Sequence, residues 1–261
     1  MPLTLKVTKA YPVQKEIDCW RGLVIDDPEE FEIYLRGPVW KRVTDAEFEI
    51  EFSKDLDALA TTGMATEALR TLLASTTEPL DWEIGEALAE CLLMDELSAV
   101  WPWNENRDKK TPKASLPGAD IVGFIGEGAE TMFLFGEVKT SSHASNPPGV
   151  MSGRSGLAHQ IDSLANHVSA QNALLKWLFA RCEAPEQKKR FKTAAERYLH
   201  SGGKEFAVVG VLLRDTPPHV DDLRTRGIKL ETCEPNPRIR LDAWYTPRAI
   251  TDWLSIVRAK S

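Results

Sequence analysis

Two acidic residues and a lysine in the middle of the chain could together carry out metal-assisted hydrolysis. Asp120 stands at the start of one apolar segment, and Glu137 and Lys139 come near the end of the next. Two neighbouring carboxylates repel each other, and a hard divalent cation such as Mg²⁺ relieves that repulsion. A lysine beside them can orient a water molecule or neutralise a developing anion. Side chains of these types could together catalyse the hydrolysis of a phosphodiester.

The segments around these residues predict a β-hairpin. Ile121–Ile125 and Thr131–Lys139 are apolar runs separated by a glycine-containing turn of five residues. Side chains alternate along a strand, so Glu137 and Lys139 share one face and Val138 lies on the other.

The register of the hairpin decides whether the two carboxylates meet. Pairing residue 125 with residue 131 puts Asp120 opposite Gly136, beside Glu137. A shift by one residue still leaves both carboxylates within reach of one ion. A glycine inside a strand, such as Gly136, often marks a bulge or a close approach.

An acidic helix precedes the hairpin. Asp81 is a suitable N-cap for a helix that runs to about Val100. Glu83, Glu86 and Glu90 follow at spacings of three and four residues and therefore share one face. The helix is largely apolar, and buried carboxylates need positive partners. An exposed stripe on an ordinary amphipathic helix is the other interpretation.

The remaining segments predict a mixed fold. Phe31–Leu35 and Phe48–Phe52 alternate in the manner of exposed strands, and Asp55–Ala74 has helical spacing. Further helices are predicted over Leu157–Cys182, Pro185–His200 and Pro247–Ala259, and strands over Phe206–Leu213 and Arg238–Tyr245. Strands and helices in this order predict an α/β or α+β fold, with helices flanking a mixed central sheet.

Composition narrows the class of protein. The chain has 261 residues, which suits one large domain or one and a half. No apolar run approaches the ~20 residues needed to span a bilayer, and the N-terminus lacks the apolar core of a signal peptide. We therefore expect a cytoplasmic protein. Cys19, Cys91, Cys182 and Cys233 are far apart, which indicates reduced structural thiols.

The charge is unevenly distributed. The net charge is −7, but residues 1–100 carry 9 basic and 21 acidic side chains while the rest carry 23 and 18. We predict an acidic N-terminal region, residues 1–78, that could bind a partner or mask a site, and a second domain over residues 79–261. A solvated surface with uneven charge is the competing interpretation. A polyanion could use only the second part.

The stretch PGAD, with Asp120 as its last residue, and the later GEVKTS resemble the core of the PD-(D/E)xK nuclease superfamily. The resemblance covers about residues 80–215. It implies a restriction-endonuclease-like core in which Asp120, Glu137 and the carbonyl of Val138 hold Mg²⁺ or Mn²⁺. Lys139 would then position the attacking water.

The resemblance also implies supporting residues. A glutamate on the preceding helix often completes such sites, and Glu86 is the best match, with Glu90 as the substitute. Gln160 takes the place of a supporting glutamine on the following helix, whereas His159 falls on the far side of that helix. The literal Pro-Asp dipeptide is absent, since Gly118 and Ala119 separate Pro117 from Asp120. An edge-strand ion pair is the competing interpretation of Glu137 and Lys139.

Within the superfamily, the chain resembles the family of HamA nuclease subunits of the Hachiman antiphage system. The shared features are the length, the acidic N-terminal region and the central GAD and EVKTS segments. This resemblance implies a DNA endonuclease whose partner is a helicase. A partner that delivers DNA would also suit a chain of negative net charge.

Basic residues outside this core could contact phosphates. The candidates are Arg154, in a Gly/Pro/Ser-rich loop that could close over substrate, and Lys188, Lys189, Arg190 and Lys192 on a basic helix. A solvated helix face and an ordinary surface loop are the competing interpretations. Two other functions stay open: an idle nuclease fold that binds nucleic acid or protein, and a stand-alone restriction-type endonuclease.

Overall fold

A six-stranded mixed sheet with helices on both faces organises the chain in the computed structural model. The structure describes residues 5–11, 19–74, 78–109, 118–231 and 237–259. The strands are β1 (Val7–Tyr11), β2 (Trp20–Ile25), β3 (Ile121–Ile125), β4 (Met132–Ser141), β5 (Ala207–Arg214) and β6 (Arg238–Tyr245). Their order across the sheet is β1-β2-β6-β5-β4-β3. The predicted α/β class with a mixed sheet is confirmed.

The helices lie between and around these strands. They are α1 (Pro28–Tyr34), α2 (Trp40–Val43), α3 (Ala46–Leu59), α4 (Gly63–Ala74), α5 (Asp81–Leu97), α6 (Glu105–Asp108), α7 (Leu157–Asn166), α8 (Val168–Arg181), α9 (Pro185–His200), α10 (Arg224–Leu230) and α11 (Trp253–Arg258). A π-helical segment, Leu35–Val39, joins α1 to α2, and short 3₁₀ turns cover Gly128–Glu130, Gly149–Met151, Val220–Asp222 and Ile250–Asp252. No helix in the described ranges is both long and apolar enough to cross a membrane.

The sheet separates two apolar cores. Helices α1, α5 and α11 pack on one face, where Ile84, Leu88 and Trp253 are buried. Helices α7, α8 and α9 pack on the other face, where Phe133, Phe135 and other aromatic side chains lie. β5 is buried along its whole length, as its continuous apolar sequence predicts for a central parallel strand.

The predicted hairpin is confirmed with a shifted register. β3 and β4 pair antiparallel with Ile125 opposite Met132 and Ile121 opposite Gly136, one residue from the pairing of residue 125 with residue 131. Thr131 belongs to the turn, because its hydroxyl donates to the carbonyl of Gly128 at 2.9 Å. Asp120 therefore lies one residue beyond the last pair, level with Glu137.

Gly136 marks a close approach of two backbones, as expected. A Cβ at this position would lie 2.3 Å from the carbonyl oxygen of Val209 on β5. Only a residue without a side chain lets β4 approach β5 here, just before Glu137.

The two strands predicted near the N-terminus are wrong. Residues 31–35 lie in α1 and the π-helical segment, and residues 48–52 lie in α3. Phe31, Tyr34 and Leu35 are all buried, and their spacing of three and four residues suits a helix that packs on the core. Asp27 caps α1 by accepting from the backbone N–H of Glu29 at 2.8 Å.

Other boundaries also differ from the prediction. The helix predicted over residues 55–74 is two helices, α3 and α4, separated at residues 60–62. The helix predicted over residues 157–182 breaks at His167, whose backbone is extended. Buried Gln171 donates to the carbonyls of Leu164 and Ala165, which satisfies the open end of α7. The closing helix is shorter than predicted and begins with a 3₁₀ turn.

Helix α5, helix α9 and strand β6 confirm their predictions within a few residues. Cys19, Cys91 and Cys182 are buried thiols with no disulfide in the described part of the chain. Cys233 and Pro117 lie outside the described residues.

The acidic N-terminal region contributes to the same sheet. β2 pairs parallel with β6, and β1 pairs antiparallel with β2 at the edge opposite β3. Phe31, Tyr34 and Leu35 share a core with α5. The division of roles at residue 78 stays a prediction.

Candidate active site

Asp120, Glu137 and Lys139 meet at an open edge of β4. The pairing with β3 ends at Gly136, and within the described residues no strand covers that side of Glu137–Ser141. The Lys139 ammonium donates to Glu137 Oε2 at 3.3 Å and lies 3.8 Å from Asp120 Oδ2. The structure therefore brings the three residues singled out in the sequence into one cluster.

The Asp120 carboxylate takes the place of a strand carbonyl at this edge. Its Oδ2 accepts a hydrogen bond from the backbone N–H of Val138 at 2.9 Å. A strand residue directs its N–H and C=O toward the same neighbour. The carbonyl of Val138 therefore faces the same open edge as Asp120, where it could ligate a cation.

The two faces of β4 divide as the alternation predicts. Val138 belongs to the core beneath α5, while Phe133 and Phe135 belong to the core beneath α7 to α9. Glu137 and Lys139 continue the face of these two phenylalanines.

The surroundings of Glu137 disfavour a negative charge on its carboxyl group. Its side chain is only 4% exposed. Burial, and then the repulsion of Asp120, raise its pKa to about 8, although Lys139 acts in the opposite direction. A divalent cation would supply the missing positive charge, since Mg²⁺ prefers carboxylate and carbonyl oxygens and keeps several water ligands.

The three glutamates on α5 have different surroundings. Glu83 forms an ion pair with Lys109. Glu90 forms a bidentate ion pair with Arg42, in which the two N–O distances are 2.6 and 3.1 Å. Both carboxylates are buried, so the exposed-stripe interpretation is wrong for them. Glu86 lies between them and has no hydrogen bond or ion pair to any described residue.

Glu86 is the α5 carboxylate that interacts electrostatically with the cluster on β4. Burial raises its pKa to about 9, and the charge of Asp120 contributes next, while Lys139 lowers it. Gly85 brings α5 close to β4, since a Cβ there would lie 2.8 Å from Thr140 Cγ2. Between the two candidates left by the sequence, this structure favours Glu86, because Glu90 is committed to Arg42.

The same substitution at Glu86 and Glu90 is expected to have opposite effects on stability. The pKa of Glu86 is raised on folding, so its carboxyl group favours the folded protein while it is protonated. This contribution to the free energy of unfolding is lost as the pH rises from about 4.5 toward 9. Glu86→Gln should therefore raise the free energy of unfolding at pH 8. Glu90→Gln should lower it by about 3 kcal/mol, because it leaves Arg42 without its buried partner.

Denaturant unfolding without divalent metal at pH 5 and pH 8 checks this expectation. The gain from Glu86→Gln should be larger at pH 8. Equal effects of the two substitutions would contradict the assignment of Glu86.

Gln160 lies on the side of the other core and lines the same cavity as Glu137. Helix α7 places it at a cavity of about 380 Å³ that Glu137 also lines. Its Oε1 atom is buried and has no hydrogen-bond partner among the described residues. His159 is exposed and is not among the residues that line this cavity.

The basic residues lie elsewhere. Phe191 of α9 packs against Phe133, four residues before Glu137, which is about 13 Å along a strand. Arg190 reaches the carbonyl of Gly126 in the hairpin turn, at 3.4 Å. The structure does not bring this helix together with the carboxylates. The side chains of Lys188, Lys189 and Lys192 are exposed on it, and Arg154 is exposed in the segment that precedes α7.

Arg214 is a residue that the sequence analysis missed. It ends β5, is fully buried, and donates to the carbonyl of His143 at 2.8 Å and to Asn146 Oδ1 at 3.2 Å. Asp222 forms its ion pair at 3.3 Å. Arg214 thus holds the segment that leaves β4 after Ser141, two residues beyond Lys139. The sequence did offer an indication of this role, because an arginine ends the most apolar strand.

The cluster offers two carboxylates, from Asp120 and Glu137, as ligands for a metal ion. Within the described ranges, no three His, Cys, Asp or Glu side chains are grouped closely enough to bind one. A cation here would depend on Asp120, Glu137, the Val138 carbonyl and water. No protein family model and no curated protein matches this sequence.

Proposed function

We propose that this protein is a metal-dependent endodeoxyribonuclease built on a PD-(D/E)xK core. The observation that carries the proposal is the cluster at the open edge of β4, where the Lys139 ammonium lies 3.3 Å from Glu137 and 3.8 Å from Asp120. An acidic pair with an adjacent lysine, on neighbouring strands, is the arrangement that phosphodiester hydrolysis needs.

Asp120, Glu137 and the Val138 carbonyl would hold the cation. All three are hard oxygen donors of the kind that suit Mg²⁺, with Mn²⁺ as the substitute. When bound, the cation polarises the phosphodiester and lowers the pKa of a coordinated water.

The chain's other residues act on the substrate and the water. Lys139 orients the nucleophilic water and stabilises negative charge that develops on the phosphate. Glu86 supports the cluster from α5, and Gln160 supports it from α7. Arg214 keeps the backbone after Lys139 in place.

We also propose that the enzyme is the effector of a cytoplasmic antiphage complex, like the HamA subunits it resembles. A chain with a net charge of −7 is repelled by DNA unless a partner delivers the substrate. A helicase would do so, and the acidic N-terminal region is the candidate for its binding or for masking the active site.

A plasmid-cleavage assay tests the proposal. The wild type and Lys139→Met are incubated with Mg²⁺ or EDTA, alone and with the product of the neighbouring gene. We expect metal-dependent cleavage by the wild type and a loss of at least about 100-fold in the variant, as for removal of one group that stabilises the transition state.

Lys204→Met is the matched control, because Lys204 is exposed in the segment between α9 and β5. Cleavage that needs the neighbouring protein would support the regulated complex. No cleavage by the wild type under any condition would contradict the proposal and favour an idle binding module. Full activity of Lys139→Met would contradict the assignment of the active site to this cluster. Defined cut sites made by the isolated chain would indicate a restriction-type enzyme.

A further inference from the structure

The cavity beside Glu137 is large and lies directly against the candidate catalytic cluster. Its volume of about 380 Å³ falls in the range of small-molecule pockets. Helices α7 and α8 and the residues just before β3 form its walls. The residues that line it besides Glu137 and Gln160 are Gly118, Ala119, Ser163, Leu164, Ala170, Ala173, Leu174 and Trp177.

The chemistry of these walls does not suit an anion. None of the described residues that line the cavity is a lysine or an arginine, and one is the Glu137 carboxylate. Most of the surface comes from alanine, leucine and the indole of Trp177. A phosphate or another acidic group would therefore be disfavoured inside it.

One polar side chain in the cavity wall has an atom without a partner. Gln160 Oε1 is buried and accepts no hydrogen bond from the described residues. The Ser163 hydroxyl is already paired with His167 Nδ1 at 2.9 Å. A ligand that fits should have apolar faces and an N–H donor on its edge, from which Gln160 can accept once its amide turns toward the cavity. Such a bond is favourable because a buried acceptor without a partner costs free energy.

We propose that this cavity receives one unpaired nucleobase of the strand that is cut. A nucleobase has flat apolar faces, and every common base carries an N–H donor that could reach Gln160. This inference rests on the proposed function, because Glu137 both lines the cavity and would hold the cation on the scissile phosphate. A phosphate at that position brings the base of its own nucleotide to the mouth of the cavity.

The proposal limits the form of the substrate. A base inside a duplex is stacked and paired, and taking it out costs a few kcal/mol. A single strand, or a locally melted duplex, offers the base without that cost. The enzyme should therefore prefer single-stranded DNA and bind it more tightly than a duplex of the same sequence.

A cavity-filling substitution tests the proposal. Ala173 lies at the cavity and is exposed, so Ala173→Phe can occupy the cavity while the helix stays intact. Ala180→Phe is the matched control, because Ala180 is an exposed alanine on the same helix and does not line the cavity. The probe is a labelled oligonucleotide, either single-stranded or annealed to its complement.

Two readouts separate this inference from the proposed function. Cleavage is measured with Mg²⁺, and binding is measured by fluorescence anisotropy in a Lys139→Met background. We expect about tenfold tighter binding and faster cleavage of the single strand, and a loss of about tenfold in both with Ala173→Phe but not with Ala180→Phe.

Cleavage of single strand and duplex at equal rates, with no effect of Ala173→Phe, would overturn the inference and leave the nuclease intact. Absence of cleavage together with the expected binding pattern would overturn the nuclease and retain the base-binding cavity. Equal binding of both probes, unaffected by Ala173→Phe, would overturn the inference whatever the activity.

Discussion

Glu137→Gln is expected to abolish cleavage and, at the same time, to make the metal-free protein more stable at pH 8. Cleavage should fall by at least about 1,000-fold, because the variant loses a carboxylate that would hold the cation on which the chemistry depends. Stability should rise because the neutral amide fills the same space without the charge that burial and Asp120 disfavour.

The sign of the pH dependence follows from the raised pKa. The carboxyl group of Glu137 has a pKa of about 8 in the folded chain and the ordinary value of 4.5 in the unfolded chain. Its contribution to stability is therefore complete below pH 4.5 and is lost as the pH rises toward 8. The wild type should lose more stability than Glu137→Gln over this interval.

Thermal melts at pH 5 and pH 8, with and without Mg²⁺, measure the effect. A gain of at least about 2 °C for Glu137→Gln is expected at pH 8 without metal, as for 1 kcal/mol in a protein of this size. Mg²⁺ should stabilise the wild type and not the variant. Glu127→Gln is the control, since Glu127 is exposed in the same hairpin. A variant that melts below the wild type at pH 8 would show that the carboxylate is balanced by its neighbours.

Arg214→Met is expected to cost about 3–5 kcal/mol of unfolding free energy, the range measured when one member of a buried ion pair is removed. Both side chains of the Arg214–Asp222 pair are fully buried. Methionine fills much of the same space but leaves Asp222 without its cation. It also removes the hydrogen bonds to His143 and Asn146.

Urea unfolding and limited proteolysis distinguish the two consequences of this change. Removing both charges, with Arg214→Met and Asp222→Asn together, should recover part of the lost stability. The backbone after Ser141 should still become sensitive to protease, because its hydrogen bonds stay broken. Arg258→Met is the control, since Arg258 is 40% exposed and its ion pair with Glu78 should contribute at most about 1 kcal/mol. A loss no larger than in this control would show that Arg214 does not anchor the segment.

The cluster could be predicted because its geometry is local. Glu137 and Lys139 are two residues apart on one strand, and a hairpin of five turn residues brings Asp120 to them. The register was wrong by one residue, because the Thr131 hydroxyl bond to the turn removes that residue from the strand. That slip did not separate the carboxylates, since Asp120 stands at the end of the pairing.

The sequence was less informative where contacts are distant. Glu86 and Glu90 share a helix face, and only the position of Arg42, 48 residues before Glu90, distinguishes them. The segment FEIYL alternates as a strand does, yet Phe31, Tyr34 and Leu35 also fit a helix. The helix forms because it lets all three side chains contact the core, which the alternation of a strand would not.

The strand order determines whether the N-terminal region can be deleted without disturbing the rest of the fold. The candidate site lies at the β3–β4 edge, while β1 and β2 form the opposite edge. Deleting the acidic N-terminal region would expose the unpaired side of β6 and invite aggregation through it. The region is thus part of the same folding unit, and a truncated chain would test folding before any other property of the region. Because this region also completes the sheet, any role in binding a partner should be tested by surface substitutions and not by truncation.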